Sequence, residues 1–173
     1  MQRLRQVESM SGIVVWFTGL PSSGKSRFAE RVRQRLAERG LRCCLLDGDR
    51  VRDLLQPKPG YSEQEREDFY VTLGNLAAEL AGQGFLVLVP ATASKRSYRD
   101  HARQRAPEFL EVWLDADTEE CRKRDAKGLY ARFARGEVQG LPGRTSATRH
   151  PTRRTCELSA RKTKPPSSRS CSA

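Results

Sequence analysis

Eight consecutive residues carry the most specific chemistry in the chain. Gly19, Leu20, Pro21, Ser22, Ser23, Gly24, Lys25 and Ser26 spell G-x-x-x-x-G-K-[ST], the pattern of a phosphate-cradling loop. Gly19 and Gly24 let the backbone bend so that consecutive N–H groups point at one anion. Lys25 can carry positive charge onto the β- and γ-phosphates of a nucleoside triphosphate, and Ser26 offers a hydroxyl to Mg²⁺. These types at this spacing predict ATP binding with Mg²⁺, and they leave the phosphoryl acceptor open.

A second group follows about twenty residues on. In Asp47-Gly48-Asp49 a carboxylate can orient an acceptor hydroxyl, take its proton, or help hold Mg²⁺ through water; Asp-Gly pairs are also ordinary turn formers. Arg52 and Arg66 could clamp a second anion on the acceptor, the alternative being solvated surface charge. Arg122, Lys123, Arg124 and Lys127 suit a lid that closes over phosphates and excludes water, or simply a charged face.

The elements that must position these groups follow from periodicity. Ile13–Phe17 is an apolar strand feeding the loop. A helix runs from about Lys25 to Arg39, with Phe28, Val32 and Leu36 on one face, and Gly40 closes it. Leu41–Leu46 reads as a second strand ending at Asp47, followed by a helical turn through Val51, Leu54 and Leu55. Ser62 with Glu65 forms a capping box for a long helix to about Ala81. Phe85–Val89 is a strand apolar throughout, as in a sheet buried on both faces. A loop over Pro90–Ser94, a helix over Tyr98–Arg105, a strand over Phe109–Leu114 and a helix from Thr118 to Arg124 complete the pattern. Alternating strands and helices predict an α/β fold: a P-loop NTPase-like three-layer sandwich, its sheet mostly parallel and flanked by helices. In such sheets ligands bind beyond the carboxyl ends of the strands, where the loop, the Asp-Gly-Asp turn and the segment after Val89 all fall.

The length, 173 residues, suits one domain. No apolar run approaches the roughly 20 residues that span a bilayer, and Met1–Met10 is not followed by a signal-peptide pattern; the chain reads as cytoplasmic. Cys43, Cys44, Cys121, Cys156 and Cys171 form no C-x-x-C pair, which argues for thiols rather than a zinc site. Of the net charge of +11, residues 144–173 hold eight Lys/Arg and one Glu, a net +7, leaving +4 for the rest. The basic balance is thus a property of the tail, where no aromatic residues interleave with the charges, and it argues against a nucleic-acid partner.

The chain resembles adenylylsulfate kinases over about Gly12 to Gly143. The resemblance rests on the phosphate loop, on Asp47-Gly48-Asp49-Arg50-Val51-Arg52, on Gly60-Tyr61-Ser62-Glu63 with Arg66, on Tyr98-Arg99-Asp100-His101-Ala102-Arg103, and on Arg124-Asp125-Ala126-Lys127-Gly128-Leu129-Tyr130, in that order. It implies transfer of the γ-phosphate of ATP to the 3′-hydroxyl of adenylyl sulfate, the activation step of sulfate assimilation. It further implies Gly19–Ser26 on the ATP phosphates and Mg²⁺, and Asp49 on the 3′-hydroxyl with Asp47 beside it. Arg52 and Arg66 would bind the phosphosulfate or ribose side, Tyr61 would stack on the adenine, and Lys127 would reach the acceptor from the lid. The partners implied are ATP and adenylyl sulfate, with a homodimer left open. Two positions depart from the family pattern: Phe69 stands where an Asn is common, and Ala93 where the family often has a serine that can be phosphorylated, which excludes a phosphoserine intermediate there. Both keep open a P-loop kinase for another small hydroxyl acceptor; an impaired nucleotide-binding homologue is the remaining alternative.

The expected domain organisation is a flexible start over residues 1–11, a kinase domain over 12–143, and a basic, low-complexity, disordered tail over 144–173. The tail breaks from the family pattern abruptly. Codons can be chosen for Arg144–Pro151 that, read two bases later, spell D-V-R-Y-E-T-P, close to the family's D-x-P-Y-E-x-P. An out-of-frame ending would leave the sheet without its closing strand and one edge uncovered.

Overall fold

The computed structural model describes residues 11–125 and 128–136, and the backbone of 155–159. Eleven elements follow in order: β1 (Ile13–Gly19), α1 (Lys25–Ala37), β2 (Cys43–Leu45), α2 (Gly48–Leu54), α3 (Glu63–Gly82), β3 (Leu86–Pro90), α4 (Arg96–Arg105), β4 (Glu108–Asp115), α5 (Thr118–Arg124), α6 (Leu129–Ala134) and β5 (Thr155–Ser159). The strands form one sheet in the order β2-β3-β1-β4-β5, and every pairing is parallel. β1 lies in the middle, its Ile13 opposite Leu86 on one side and Glu108 on the other.

Alternation along the strands sorts the core into two layers. Val14, Trp16, Val87 and Val89 point to one face and meet Leu73, Ala77 and Ala81 of α3 and Ala102 of α4. Phe17, Leu88, Val112 and Leu114 point to the other and meet Phe28, Ala29, Val32 and Leu36 of α1. Each fully buried large side chain here contributes about 1.5–3 kcal/mol. The predicted three-layer sandwich is the observed one. α3 and α4 approach closely at Gly74, where a Cβ would sit 3.2 Å from the Ala102 Cβ.

The helix ends follow local chemistry. Ser62 and Glu65 make the expected reciprocal capping box at the start of α3. Gly40, at φ 74°, ends the α1 segment: its N–H donates to the Ala37 carbonyl and the Leu41 N–H to the Leu36 carbonyl, both at 2.9 Å, the pairing of a Schellman close. That close explains a difference from expectation. Leu41 spends its amide on the helix and stands exposed, so β2 has three residues instead of the six read from Leu41 to Leu46.

A larger correction concerns the tail. Thr155–Ser159, expected within a disordered segment, forms β5, and its backbone pairs with Glu111–Asp115 of β4. The edge of β4 expected to be uncovered is therefore covered. A segment with Leu158 as its one large aliphatic residue shows no strand pattern; the open ladder of β4 supplies hydrogen-bond partners that composition cannot reveal. Residues 1–10, 144–154 and 160–173, to which the other expectations about flexible ends refer, lie outside the described residues.

The topology fixes where a ligand can bind. The connection leaving β1 crosses one face toward β2, and that leaving β3 crosses the other toward β4. The sheet thus switches direction between β1 and β3, and the crevice beyond their carboxyl ends is the binding position of such folds.

Candidate active site

The loop between β1 and α1 turns through three left-handed residues, Gly19 at φ 144°, Ser22 at 60° and Gly24 at 93°. Gly19 is also required by space: a Cβ there would lie 2.7 Å from the Leu114 carbonyl oxygen. The Ser23 N–H closes the turn on the Leu20 carbonyl at 3.1 Å. Lys25 is buried, and its Nζ donates to the carbonyls of Leu20 at 2.7 Å and Gly19 at 3.2 Å. The ammonium thus folds back on its own loop, at the place where a phosphate would compete for it.

Ser26 and Asp47 join the loop to the Asp-Gly-Asp turn. Ser26 Oγ donates to Asp47 Oδ2 at 2.5 Å. The other carboxylate oxygen, Oδ1, accepts from the Asp49 N–H at 3.0 Å and the Arg50 N–H at 3.4 Å, capping the N-terminus of α2. Asp47 therefore caps α2 with one carboxylate oxygen and ties that helix to the phosphate loop with the other. Gly48 is needed for close packing, since a Cβ would come within 3.2 Å of the Ala91 Cβ. Asp49 sits in the first turn of α2 with its side chain exposed.

Arg52 is not a solvated surface charge. It is 5% exposed, its guanidinium carbon 3.8 Å from the Phe69 ring centroid and 4.8 Å from that of Tyr61. Nη1 donates to the carbonyls of Gly60 at 2.6 Å and Pro59 at 3.3 Å. Stacking between aromatic faces suits a planar guanidinium and fixes its orientation. Tyr61 is 51% exposed, so its ring holds Arg52 and also presents a surface to solvent. Arg66 is half-buried on α3, one turn before Phe69. Phe69 is buried, and the position that departs from the family pattern is thus part of the wall that positions Arg52.

On the opposite side α5 and α6 lie over the phosphate loop. Tyr130 Oη donates to the Pro21 carbonyl at 3.2 Å, and Tyr130 and Cys121 pack with Leu20, Leu129 and Phe133. Burial pushes the Tyr130 phenol up to about 12 and raises the Cys121 thiol. Asp117 caps α5, and the Asp125 carboxylate accepts from the amides of Tyr130 and Ala131 at the start of α6. The basic residues expected in a lid are partly tied to their own helix: Arg122 pairs with Glu119 at 3.0 Å and Arg124 with Glu120 at 2.7 Å. Lys127 lies outside the described residues.

Some residues of the site escaped the sequence reading. Thr18 Oγ1 donates to the Thr92 carbonyl at 2.7 Å and Trp16 Nε1 to the Ala91 carbonyl at 3.3 Å, fastening the segment after β3 to β1. The Ala93 N–H donates to Tyr70 Oη at 3.1 Å. No local pattern marks these three side chains, because each bonds a backbone group far from it in sequence.

Strand order and phosphate loop place the chain in the class of P-loop kinases, whose ligands bind beyond the carboxyl ends of the strands. Comparison with known proteins narrows this further. The chain belongs to the adenylylsulphate kinase family, whose model matches residues 11–159. It is 38% identical over 132 residues to an adenylyl-sulfate kinase of Picosynechococcus sp., covering 76% of this chain and 75% of that protein. It is also 38% identical over 157 residues to an adenylyl-sulfate kinase of Vibrio parahaemolyticus, covering 90% and 77%. Among solved structures, the Mycobacterium tuberculosis APS kinase CysC in complex with AMPPNP and APS superposes with a TM-score of 0.79 at 36% identity, covering 88% of this chain and 91% of that one.

Proposed function

We propose that this chain transfers the γ-phosphate of ATP to the 3′-hydroxyl of adenylyl sulfate, giving ADP and 3′-phosphoadenylyl sulfate. The observation that carries the reading is the 2.5 Å bond between Ser26 and Asp47. It docks the start of α2, and with it Asp49 and Arg52, against the phosphate loop, so donor and acceptor sites share one crevice.

The roles follow from this placement. The amides of Gly19–Ser26 cradle the triphosphate, and Lys25 leaves the Gly19 and Leu20 carbonyls to follow charge onto the γ-phosphate. Ser26 Oγ and the Asp47 carboxylate are hard oxygen donors suited to Mg²⁺, which takes one or two protein ligands and completes its shell with phosphate and water. When bound, Mg²⁺ neutralises charge on the transferring phosphoryl group. Asp49 orients the 3′-hydroxyl and accepts its proton. Arg52 and Arg66 bind the phosphosulfate or ribose side, Tyr61 stacks on the adenine, and Lys127 contacts the acceptor nucleotide. Ala93 offers no hydroxyl to carry a phosphoserine intermediate at that place, and direct in-line transfer needs none.

We place the body of the kinase domain at 12–143, completed by β5 from the basic segment that follows, and the protein in the cytoplasm, with a homodimer left open. No helix among the described residues is long and apolar enough to cross a membrane. The test is isotope transfer from γ-labelled ATP to adenylyl sulfate, run against a panel of nucleosides and sugars. Label on adenylyl sulfate supports the proposal. Label only on another hydroxyl compound assigns a different small-molecule acceptor, and binding of ATP without transfer to any acceptor marks an impaired homologue.

A further inference from the structure

The most deeply buried charges in the described fold lie behind the acceptor wall, and none of the roles above uses them. Arg99 on α4 is 1% exposed and Glu111 on β4 is 2% exposed. Arg99 Nε donates to Glu111 Oε1 at 2.7 Å, and Arg103 Nη2 holds the other carboxylate oxygen at 2.5 Å. Arg99 Nη1 points the other way, donating to the Ala93 carbonyl at 2.5 Å and the Lys95 carbonyl at 3.3 Å. One guanidinium thus bridges the middle of the sheet to the segment that leaves β3 at the crevice.

That segment is held at an unusual conformation. Ala93 is fully buried with φ at 39°, a left-handed backbone that a residue with a Cβ seldom adopts. Its amide is gripped by Tyr70 and its carbonyl by Arg99. Tyr70 stacks on Tyr98 at 4.7 Å between centroids and meets Phe69 edge-on at 5.3 Å, and Phe69 carries Arg52. Contacts therefore run without a break from Glu111 through Arg99, Ala93, Tyr70 and Phe69 to Arg52.

We infer that Arg99, anchored by Glu111, is a positioning residue for the acceptor site: it fixes the backbone at Ala93 and thereby the aromatic wall that orients Arg52. The inference rests on the proposed reaction for its kinetic part only. A buried ion pair does not by itself favour the fold, and replacing both partners with apolar residues is often neutral or stabilising, whereas removing one leaves an uncompensated charge. Arg103, which also holds Glu111, is part-exposed and keeps its pair with Asp100 at 2.6 Å when Glu111 is replaced, so loop holding and fold stability can be separated.

The test compares wild type with Arg99→Met/Glu111→Leu and with Arg99→Lys. Lysine keeps a charge for Glu111 but lacks the fork needed to reach the Ala93 carbonyl as well. The Trp16 indole N–H, bonded to the Ala91 carbonyl, gives an NMR resonance that reports the loop without any catalysis. The expected result is a shifted Trp16 indole signal and faster exchange of the Ala93 amide in both variants. The KM for adenylyl sulfate should rise tenfold or more, and that for ATP should stay within twofold. An unmoved indole signal with unchanged exchange overturns the inference, as does an equal rise in both KM values. If the double variant does not fold, the same measurements on Arg99→Lys decide it. If wild type transfers no phosphate to adenylyl sulfate, the proposed reaction fails while the NMR and exchange results still judge the positioning.

Discussion

Asp47 has two functions on two oxygens, and substitution can separate them. Replacing it with alanine removes the cap of α2, which costs about 1 kcal/mol within a range of roughly 0.5–2. It also removes the acceptor for Ser26 Oγ; because Ser26 is exposed water replaces much of that bond, adding only about 0.5–1 kcal/mol. A total near 1.5–2 kcal/mol corresponds to a fall in Tm of roughly 3–8 °C for a chain of this size. Asparagine keeps an oxygen for the Asp49 and Arg50 amides and is as good a cap as aspartate, so Asp47→Asn should lose well under about 1 kcal/mol. Activity should follow a different order. Both variants lose the negative charge beside Ser26, and both should lose roughly 10–100-fold in activity at limiting Mg²⁺. Thermal denaturation without nucleotide measures the first effect, and ADP release across a Mg²⁺ titration measures the second. Asn as destabilising as Ala would refute the capping argument. Asp47→Asn at wild-type rate and with unchanged Mg²⁺ dependence would refute the placement of this carboxylate at the metal.

Further expectations use the other contacts. Lys25→Ala should lower kcat by roughly 10²–10³ or more, as for removal of a group aimed at transition-state charge; a wild-type rate would mean that the loop is not the ATP site. Asp49→Asn should cut kcat strongly with ATP affinity near normal, and a collapse of ATP binding with kcat preserved would move its role to the metal or the fold. Arg52→Lys should raise the KM for adenylyl sulfate at least tenfold while leaving that for ATP alone, since an ammonium cannot replace a stacked, forked guanidinium; equal effects on both substrates would count against the acceptor assignment. Tyr130→Phe bears on alkaline stability. The folded state keeps this phenol protonated to about pH 12, whereas the unfolded chain ionises near pH 10, so the wild type loses stability as pH rises from about 10 to 12. The phenylalanine variant should show a flatter decline in Tm over that window, and an identical decline would show that Tyr130 is not responsible.

What the sequence reveals depends on how local the cause is. The phosphate loop, the capping box at Ser62 and the close at Gly40 are set by neighbouring residues, and each stands where periodicity and spacing put it. The layers are legible because Val14 and Trp16 alternate with Val15 and Phe17. The shortness of β2 is less legible, since it follows from Leu41 giving its amide to Leu36, a choice between two partners that composition does not settle. In the sequence Arg52 is either an acceptor clamp or a surface charge, and its burial follows only when Tyr61 and Phe69, nine and seventeen residues away in the chain, close around it. The Arg99–Glu111 pair joins a helix to a strand, and only the fold brings the two together. β5 was illegible for the same reason, because its partner ladder on β4 lies some forty residues earlier.

The central place of β1 has a consequence for how the chain is made. The first strand synthesised is the one that needs the most distant partners: Ile13 pairs with Leu86 and with Glu108, neither of which exists when β1 leaves the ribosome. At about 5–20 residues per second, the second neighbour of β1 emerges roughly 5–20 s after β1 itself. Throughout that interval Val14, Trp16 and Phe17, all buried in the finished sheet, remain apolar strand residues without a sheet to join. Such non-local pairing is slow and prone to aggregation. The nascent chain should therefore be a client for chaperones that shield exposed apolar strands, and its yield should depend on translation speed between β1 and β4 more than on anything in the mature site.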